Sequence, residues 1–362
     1  MKSTSGHHFI ALDHIRAFAA LLVVTWHFIH NMSGIPIPFE FTPSITAFPL
    51  ALFDEGHTGV ALFMSLSGYL FAKLLDGKNI HYPAFIWNRA LRLLPLLLLV
   101  IIVEGLLTYL RSQNGTQSII EYFYSVMLGI VLPTLPDGGW SITVEFHYYL
   151  ILPLFLWMLR KSKWLPLFII LVAIALRAYL YHLHGQIFET AYYTIIGRID
   201  QFALGMMMFN CRSFFIKKHW LAFLILMSFC AFYYYFDAMG GYYRNPTYPS
   251  TNPLWIIMPT IEGLAYAVGI AWYESSFNHS TTGVSKLIGK MGEYSYSIYL
   301  LHFFIVFKAA SYIHTRIIDL SNFYLALLFS LLFFIGMMPI GYLSFRFIES
   351  PFLKLRKRYI IQ

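Results

Sequence analysis

The feature that most constrains this chain is the spacing of its apolar runs. A hydrocarbon core about 30 Å thick is crossed by about 20 helical residues, because inside it every backbone N–H and C=O has to be bonded within the segment. Runs of that length recur near residues 10–30, 57–76, 91–110, 141–160, 164–182, 193–210, 219–236, 254–273, 294–312 and 322–346. The expected fold class is all-α, a polytopic membrane helical bundle of about ten transmembrane helices. Composition agrees: 58% of residues are hydrophobic, 12% are charged and the mean hydropathy is +0.63, far from a soluble domain. The first run carries Arg16 and His27 and no small-residue cleavage pattern follows it, so it reads as a retained helix and not as a signal peptide.

Lys and Arg near helix ends mark cytoplasmic loops. Such clusters follow the second expected span (Lys73, Lys78, Arg89, Arg92), the fourth (Arg160, Lys161, Lys163), the sixth (Arg212, Lys217, Lys218), the eighth (Lys286, Lys290) and the last (Lys354, Arg356, Lys357, Arg358). Every second loop is basic, which puts both termini in the cytoplasm. The shorter apolar piece at 119–132 carries Glu121; a crossing there would invert all later clusters, so it is expected to be interfacial or re-entrant. The same distribution explains the net charge of +8 as membrane topology and excludes a nucleic-acid partner. Cys211 and Cys230 form neither a disulfide framework nor a metal-ligand spacing, and no metal is expected. The connections are short, leaving one membrane domain over 1–352 and a basic cytoplasmic tail over 353–362.

An ionisable group at the centre of a membrane helix costs about 2.5–3.5 kcal/mol on insertion scales and is a functional candidate by default. Arg16 and His27 are eleven residues apart, which at about 100° and 1.5 Å per residue places them on nearly one face of the first helix, about 16 Å apart. A fixed cation near the inner surface and an imidazole near the outer one suit an anionic donor inside and an acceptor hydroxyl outside. The plainer alternative has Arg16 snorkelling to the surface. Glu145, in the block Trp140-Ser141-Ile142-Thr143-Val144-Glu145-Phe146-His147-Tyr148-Tyr149, is expected at the depth of His27, where a carboxylate would fix the imidazole tautomer; equally, it could serve the dipole of a helix N-terminus. Arg89 and Arg92 stand at the inner mouth, either as bidentate phosphate holders for a coenzyme or as ordinary anchors.

Arg198 and Asp200 are two residues apart in one apolar run, so they do not share a helix face and each needs a partner elsewhere, in a structural ion-pair network or in chemistry. His302, among the hydroxyls of Tyr294 to Tyr299, reads equally as a packing or a catalytic histidine. Glu104, Arg177 and Glu262 lie in no motif that can be interpreted. The chain has no Gly-Lys-Ser/Thr loop, no His-Glu-x-x-His helix and no Gly-x-Ser-x-Gly elbow, so these nucleotide, zinc-protease and hydrolase signatures are missing.

Taken in order, these pieces resemble the acyltransferase-3 family of integral membrane O-acyltransferases, whose members include polysaccharide O-acetylases. The resemblance runs from Leu12 to Phe352. It is carried by the Arg16-x10-His27 pattern, Gly59 to Leu70 with Ser67 and Gly68, Arg89/Arg92/Pro95, Trp140-Ser141 to Glu145 to Tyr149, Arg198 to Gly205, Tyr294 to His302 with Tyr299, and Arg346 to Phe352 with Glu349. Ala61 stands where an acidic residue is frequent, and His147 with Tyr148 replaces a commoner Gln-Phe pair.

The resemblance implies a multi-pass enzyme of the bacterial cytoplasmic (inner) membrane, with acetyl-CoA or another acyl-CoA as donor substrate and a hydroxyl of a glycan or lipid-linked glycan as acceptor. The catalytic residues would be His27, Glu145 and Arg16, the donor-binding residues Arg89 and Arg92, and the supporting polar network Ser67, Trp140, Ser141, Tyr149, Arg198, Asp200, Tyr299, His302 and Glu349, with no metal. His27 would act as general base, oriented by Glu145. An extracytoplasmic esterase-like domain, which some members append, is not expected. The rival of another class is a secondary transporter or flippase for lipid-linked glycan, although the paired repeats such proteins commonly show are not apparent. Nothing in the sequence selects the acceptor or an oligomeric state.

Overall fold

The computed structural model describes residues 9–30, 48–112 and 115–361. Its long helices are α1 (Ile10–Ile29), α2 (Gly59–Leu75), α3 (Tyr82–Arg111), α4 (Gly115–Leu128), α5 (Trp140–Lys161), α6 (Leu167–His184), α7 (Ile195–Phe215), α8 (His219–Ala238), α9 (Met258–Ser276), α10 (Gly283–Glu293), α11 (Ser295–Leu301), α12 (Val306–Arg316) and α13 (Phe323–Ser344). Each of the ten expected runs falls on one of them or, for 294–312, on the α11–α12 pair. Among the described residues, seven helices are long and apolar enough to cross a membrane, and the bent pair Ser295–Phe304 and Val306–Arg316, meeting at 59°, makes up to eight. α7 and α9 are not among these. They carry Arg198, Asp200 and Glu262, all buried, and pack against each other and against α2 in the interior. The chain is a multi-pass membrane protein of helical class.

Burial of those charges is tolerated because each is paired between helices. Asp200 on α7 receives the Arg177 guanidinium of α6 at 2.8 Å, and Arg198 reaches Glu262 of α9 at 3.2 Å. Glu262 also accepts from Thr58 (2.7 Å), Gln201 (2.9 Å) and Tyr233 (2.7 Å). The two-residue offset of Arg198 and Asp200 thus sends them to different neighbours. Arg177 and Glu262, which no motif explains, are their partners.

Close approach of α2 and α7 depends on two glycines. A Cβ on Gly205 would lie 2.0 Å from the Ser65 carbonyl oxygen, and one on Gly68 would lie 2.1 Å from that of Phe202. Small residues let membrane helices meet backbone to backbone. Gly205→Val should therefore force the pair apart and cost on the order of 1–3 kcal/mol or more, read as a lower melting temperature in detergent.

α4 is 14 residues long, about 21 Å, too short for a crossing; it lies along α3, with the Tyr122 hydroxyl donating to the Ile101 carbonyl at 2.8 Å. In the loop that follows, Asp137 meets Glu104 of α3. Burial, and then the Glu104 charge, raise the Asp137 carboxyl from 3.8 to about 7, against the opposing pull of Arg111. A carboxyl whose pKa is raised by folding stabilises the fold fully below its unfolded pKa, and that contribution is lost as pH rises through about 7. Asp137→Asn should accordingly flatten the decline in melting temperature between about pH 4 and pH 7.

The basic clusters meet at one end of the bundle. Arg160 donates to the Lys78 carbonyl at 2.6 Å, Lys73 pairs with Glu274, and the Lys217 amide bonds Ser276 at 3.0 Å. The C-terminal residues turn back onto the same end. Ile360–Ile361 pairs antiparallel with Asn79–Ile80, and Asn88 exchanges hydrogen bonds with the backbone of Lys357 at 2.7 and 2.9 Å. Residues 353–361 are therefore fastened to the start of α3.

Candidate active site

Two cavities lie along α1, one for each residue of its polar stripe. The cavity at the basic end, of about 180 Å³, is lined by Arg16, Arg89, Arg92 and Arg356, with Asp13 and Glu145 as the lining acids. The second, of about 290 Å³, is lined by His27 and a wall of aromatics that includes Trp26, Trp140, Tyr192, Tyr242 and Phe303. Val60 and Tyr299 line both. The Tyr299 hydroxyl is held 2.9 Å from Ser141 Oγ and 3.1 Å from the Gly138 carbonyl oxygen. One helix face thus presents a cation to one compartment and an imidazole to the next, with a tyrosine at the boundary.

Within the basic cavity the arginines differ. Arg16 pairs with Asp13, one helical turn away. Arg92 is bound at 2.8 Å to Glu349, which also accepts from Ser297. Glu349 is buried and ends the π-helical turn Phe345–Glu349, a distortion that proteins tend to place at functional sites. Arg89 has its guanidinium carbon 5.3 Å and 5.7 Å from the ring centroids of Phe71 and Phe85, and its Nε lacks a hydrogen-bond partner among the described residues. Both Arg89 and Arg92 sit on α3, where the sequence reading expects a loop. The helix begins at Tyr82 because His81 caps it, accepting from the Ala84 amide, and a proline occupies its first turn.

Glu145 is not beside His27. It accepts from Tyr149 and, at 3.5 Å, from Ser67, and it faces the arginine cavity. α5 starts at Trp140, so Glu145 sits more than a turn into the helix, at the level of the arginines. Trp140 at the helix start lines the aromatic cavity, and Ser141 lines the basic one. The expectation that Glu145 orients the imidazole is therefore replaced by another partner.

That partner is His302. Its Nε2 lies 3.1 Å from Nδ1 of His27, its own Nδ1 lies 3.2 Å from the Ile298 carbonyl oxygen, and His27 Nδ1 is 2.9 Å from the Val23 carbonyl oxygen. A carbonyl only accepts, and a neutral imidazole has one N–H. His302 must then carry its proton on Nδ1, and its Nε2 accepts. His27 in turn carries its proton on Nδ1, donated to Val23 and His302 together. The lone pair of His27 is left on Nε2, for which no hydrogen bond occurs among the described residues. Trp26 and Phe303 flank the ring at centroid distances of 4.6 and 4.4 Å. The 3-10 turn at His302–Phe304 interrupts the helix and lets α11 and α12 meet at their bend with His302 turned toward α1.

His302→Leu removes one of the two acceptors that hold this tautomer, leaving the Val23 carbonyl, and should lower turnover about ten- to a hundredfold, the usual size of an orienting contact. His302→Gln, whose amide oxygen can accept from Nδ1, should retain much more. The pair is compared by steady-state kinetics at equal membrane levels. Sequence reasoning found His302 but missed its pairing with His27. It read Arg356 only as a topology marker, and of the aromatic wall it singled out only Trp140 and Tyr299; the Tyr192-Tyr193 and Tyr242-Tyr243 pairs are the signal that was present.

Residues 9–346 match the family described as "Acyltransferase domain". A Staphylococcus aureus (strain COL) protein bearing the name "Putative O-acetyltransferase" is 24% identical over 95% of this chain and 57% of its own length. A Bacillus subtilis (strain 168) protein named "Putative peptidoglycan O-acetyltransferase" is 27% identical over 42% of this chain and 24% of its own. The chain spans little more than half the length of the first and a quarter of the second. No solved structure gives a significant match. With the family match reaching from the first described helix to the last long one, the chain belongs to the acyltransferase-3 family of acyltransferase domains.

Proposed function

We propose that this chain is an integral membrane O-acetyltransferase that moves an acetyl group from acyl-CoA, bound at the basic end, to a hydroxyl of a glycan or lipid-linked glycan held in the aromatic cavity. The single observation that carries the reading is the hydrogen-bond chain that leaves Nε2 of His27 as an unprotonated base inside a cavity. In the basic cavity, four lining guanidinium groups against the two lining carboxylates and the Glu349 carboxylate bound to Arg92 favour an anionic, phosphate-bearing donor. The basic end is taken as cytoplasmic on the distribution of Lys and Arg, with α7 and α9 counted as crossings and both termini inside, in a bacterial inner membrane.

The donor's thioester would reach past Val60 and Tyr299 toward His27. His27 Nε2 takes the acceptor hydroxyl proton while the oxygen attacks the thioester carbonyl carbon. The carbon–sulfur bond then breaks, and the imidazolium returns the proton to the departing thiolate, so the base is regenerated. Arg16 stands at the cavity nearer the donor, where a cation stabilises negative charge. Glu145 is reassigned from orienting the imidazole to balancing and spacing the arginine wall.

Membranes carrying the protein, given radiolabelled acetyl-CoA and a glycan fraction, should place label on the glycan in ester linkage that mild base releases. A transporter or flippase would leave the glycan unlabelled, and that outcome would overturn the assignment.

A further inference from the structure

We propose that the end of the bundle opposite the basic clusters holds a divalent-cation site formed by Asp54, Glu55, Asp237 and His57, with His30 at its edge. One oxygen from each of the three acids lies within 4.8 Å of the others. Asp54 and Glu55 are 4% and 3% exposed and come from the segment leading into α2; Asp237 comes from the end of α8. Protons alone can hold clustered acids together. Two further observations point to a ligand.

The first is His57. Its ring is 1% exposed, neither nitrogen makes a hydrogen bond among the described residues, and Nε2 points into the cluster, 3.0 Å from Glu55 Oε2 without hydrogen-bond alignment. A buried imidazole with both nitrogens idle is costly, and coordination by one nitrogen removes part of that cost. The second is His30. Its Nδ1 donates to the Trp26 carbonyl at 3.3 Å, so Nε2 presents a lone pair to Asp54 Oδ1 at 3.7 Å. Two lone pairs facing each other in a buried site call for a positive charge between them.

The two histidine–carboxylate spacings are those of neighbouring metal ligands, and the three acid oxygens, within 4.8 Å of one another, would draw in around the ion. Nitrogen and oxygen ligands at about 2.0–2.2 Å from a cation stand roughly 3–3.6 Å from their neighbours in tetrahedral or octahedral geometry, close to the 3.0 and 3.7 Å found. An outer contact is present as well: Glu55 Oε1 accepts from the Tyr242 amide at 3.1 Å. Gly241, at φ +56°, leaves room for that oxygen, because a Cβ there would lie 1.7 Å from it. Carboxylates with imidazole suit Mn²⁺ or Zn²⁺ better than Mg²⁺. His57 also lines the aromatic cavity, and Trp26 makes ring contacts with both His57 and His27. The cation would therefore brace the cavity wall without touching the catalytic imidazole.

The test uses full-length protein in detergent, stripped with chelator and then dialysed against Zn²⁺ or Mn²⁺, with Mg²⁺ as comparison. The site predicts about one equivalent of Zn²⁺ or Mn²⁺ retained and a raised melting temperature, with both effects lost in Glu55→Gln and Asp237→Asn. Those variants keep the side-chain shape, and in Glu55→Gln the new amide oxygen can still accept from the Tyr242 backbone. Stripped wild-type protein that takes up neither ion would overturn the proposal. So would uptake that persists in variants eluting as folded protein, or variants more stable than the wild type and indifferent to metal, the behaviour of acids held together by protons. Should a variant fail to fold, uptake and melting of the wild type alone still decide the matter. Neither readout depends on acyl transfer, so this proposal and the assignment of function fail separately.

Discussion

His27→Ala is expected to lower acyl transfer by roughly 10²- to 10⁴-fold, the range for loss of a general base, while the protein reaches the membrane at normal levels. The imidazole lines a cavity, so its removal enlarges space that already exists and leaves no buried charge behind. His302 keeps its Nδ1 contact to the Ile298 carbonyl. Free imidazole at high concentration should restore part of the lost rate by entering the enlarged cavity. Transfer assays on membranes normalised for protein level check both points; a variant with wild-type activity would remove His27 from the mechanism.

Arg89→Gln should raise the KM for acyl-CoA about ten- to a hundredfold with a smaller change in kcat, because a charge-assisted contact to a phosphate is worth about 1.5–3 kcal/mol. The same argument predicts a different outcome at Arg92. Arg92→Gln strands the buried Glu349, and breaking a buried pair costs about 3–5 kcal/mol. That variant should lose folded protein as well as affinity. Titration of acyl-CoA in the transfer assay, beside the yield of each variant in detergent, separates the two effects. Equal behaviour of Arg89→Gln and Arg92→Gln would contradict the distinction between a side chain aimed at the donor and one committed to a structural pair.

The contrast between Glu145 and His302 explains how far the site was legible. Helical periodicity along one segment is a local quantity, so the shared face of Arg16 and His27 follows from the spacing alone, and both side chains do line cavities. The depth of Glu145 relative to His27 depends on where α5 begins and how it is tilted against α1, which no spacing within either segment encodes. His302 lies 275 residues from His27 in sequence, and its role appears only because a break at the end of α11 turns it toward α1. The metal question has the same form. Cysteine counts and zinc-helix motifs test for ligands that are near in sequence, whereas the adjacent pair Asp54-Glu55 meets Asp237 from the far end of another helix.

By itself, then, the sequence determined the solvent: apolar runs of fixed minimum length, alternating with basic loops, leave a membrane helical bundle as the outcome, because unbonded backbone is intolerable in hydrocarbon. It also determined which charged groups had to be kept from lipid. Only the tertiary structure decided their company. Arg198 found Glu262, Arg177 found Asp200, Glu145 joined the arginines and His302 took the imidazole. The physical reason is that a buried polar group is stabilised by whatever its neighbouring helix presents at the same depth, and that depends on the relative placement of helices far apart in the chain.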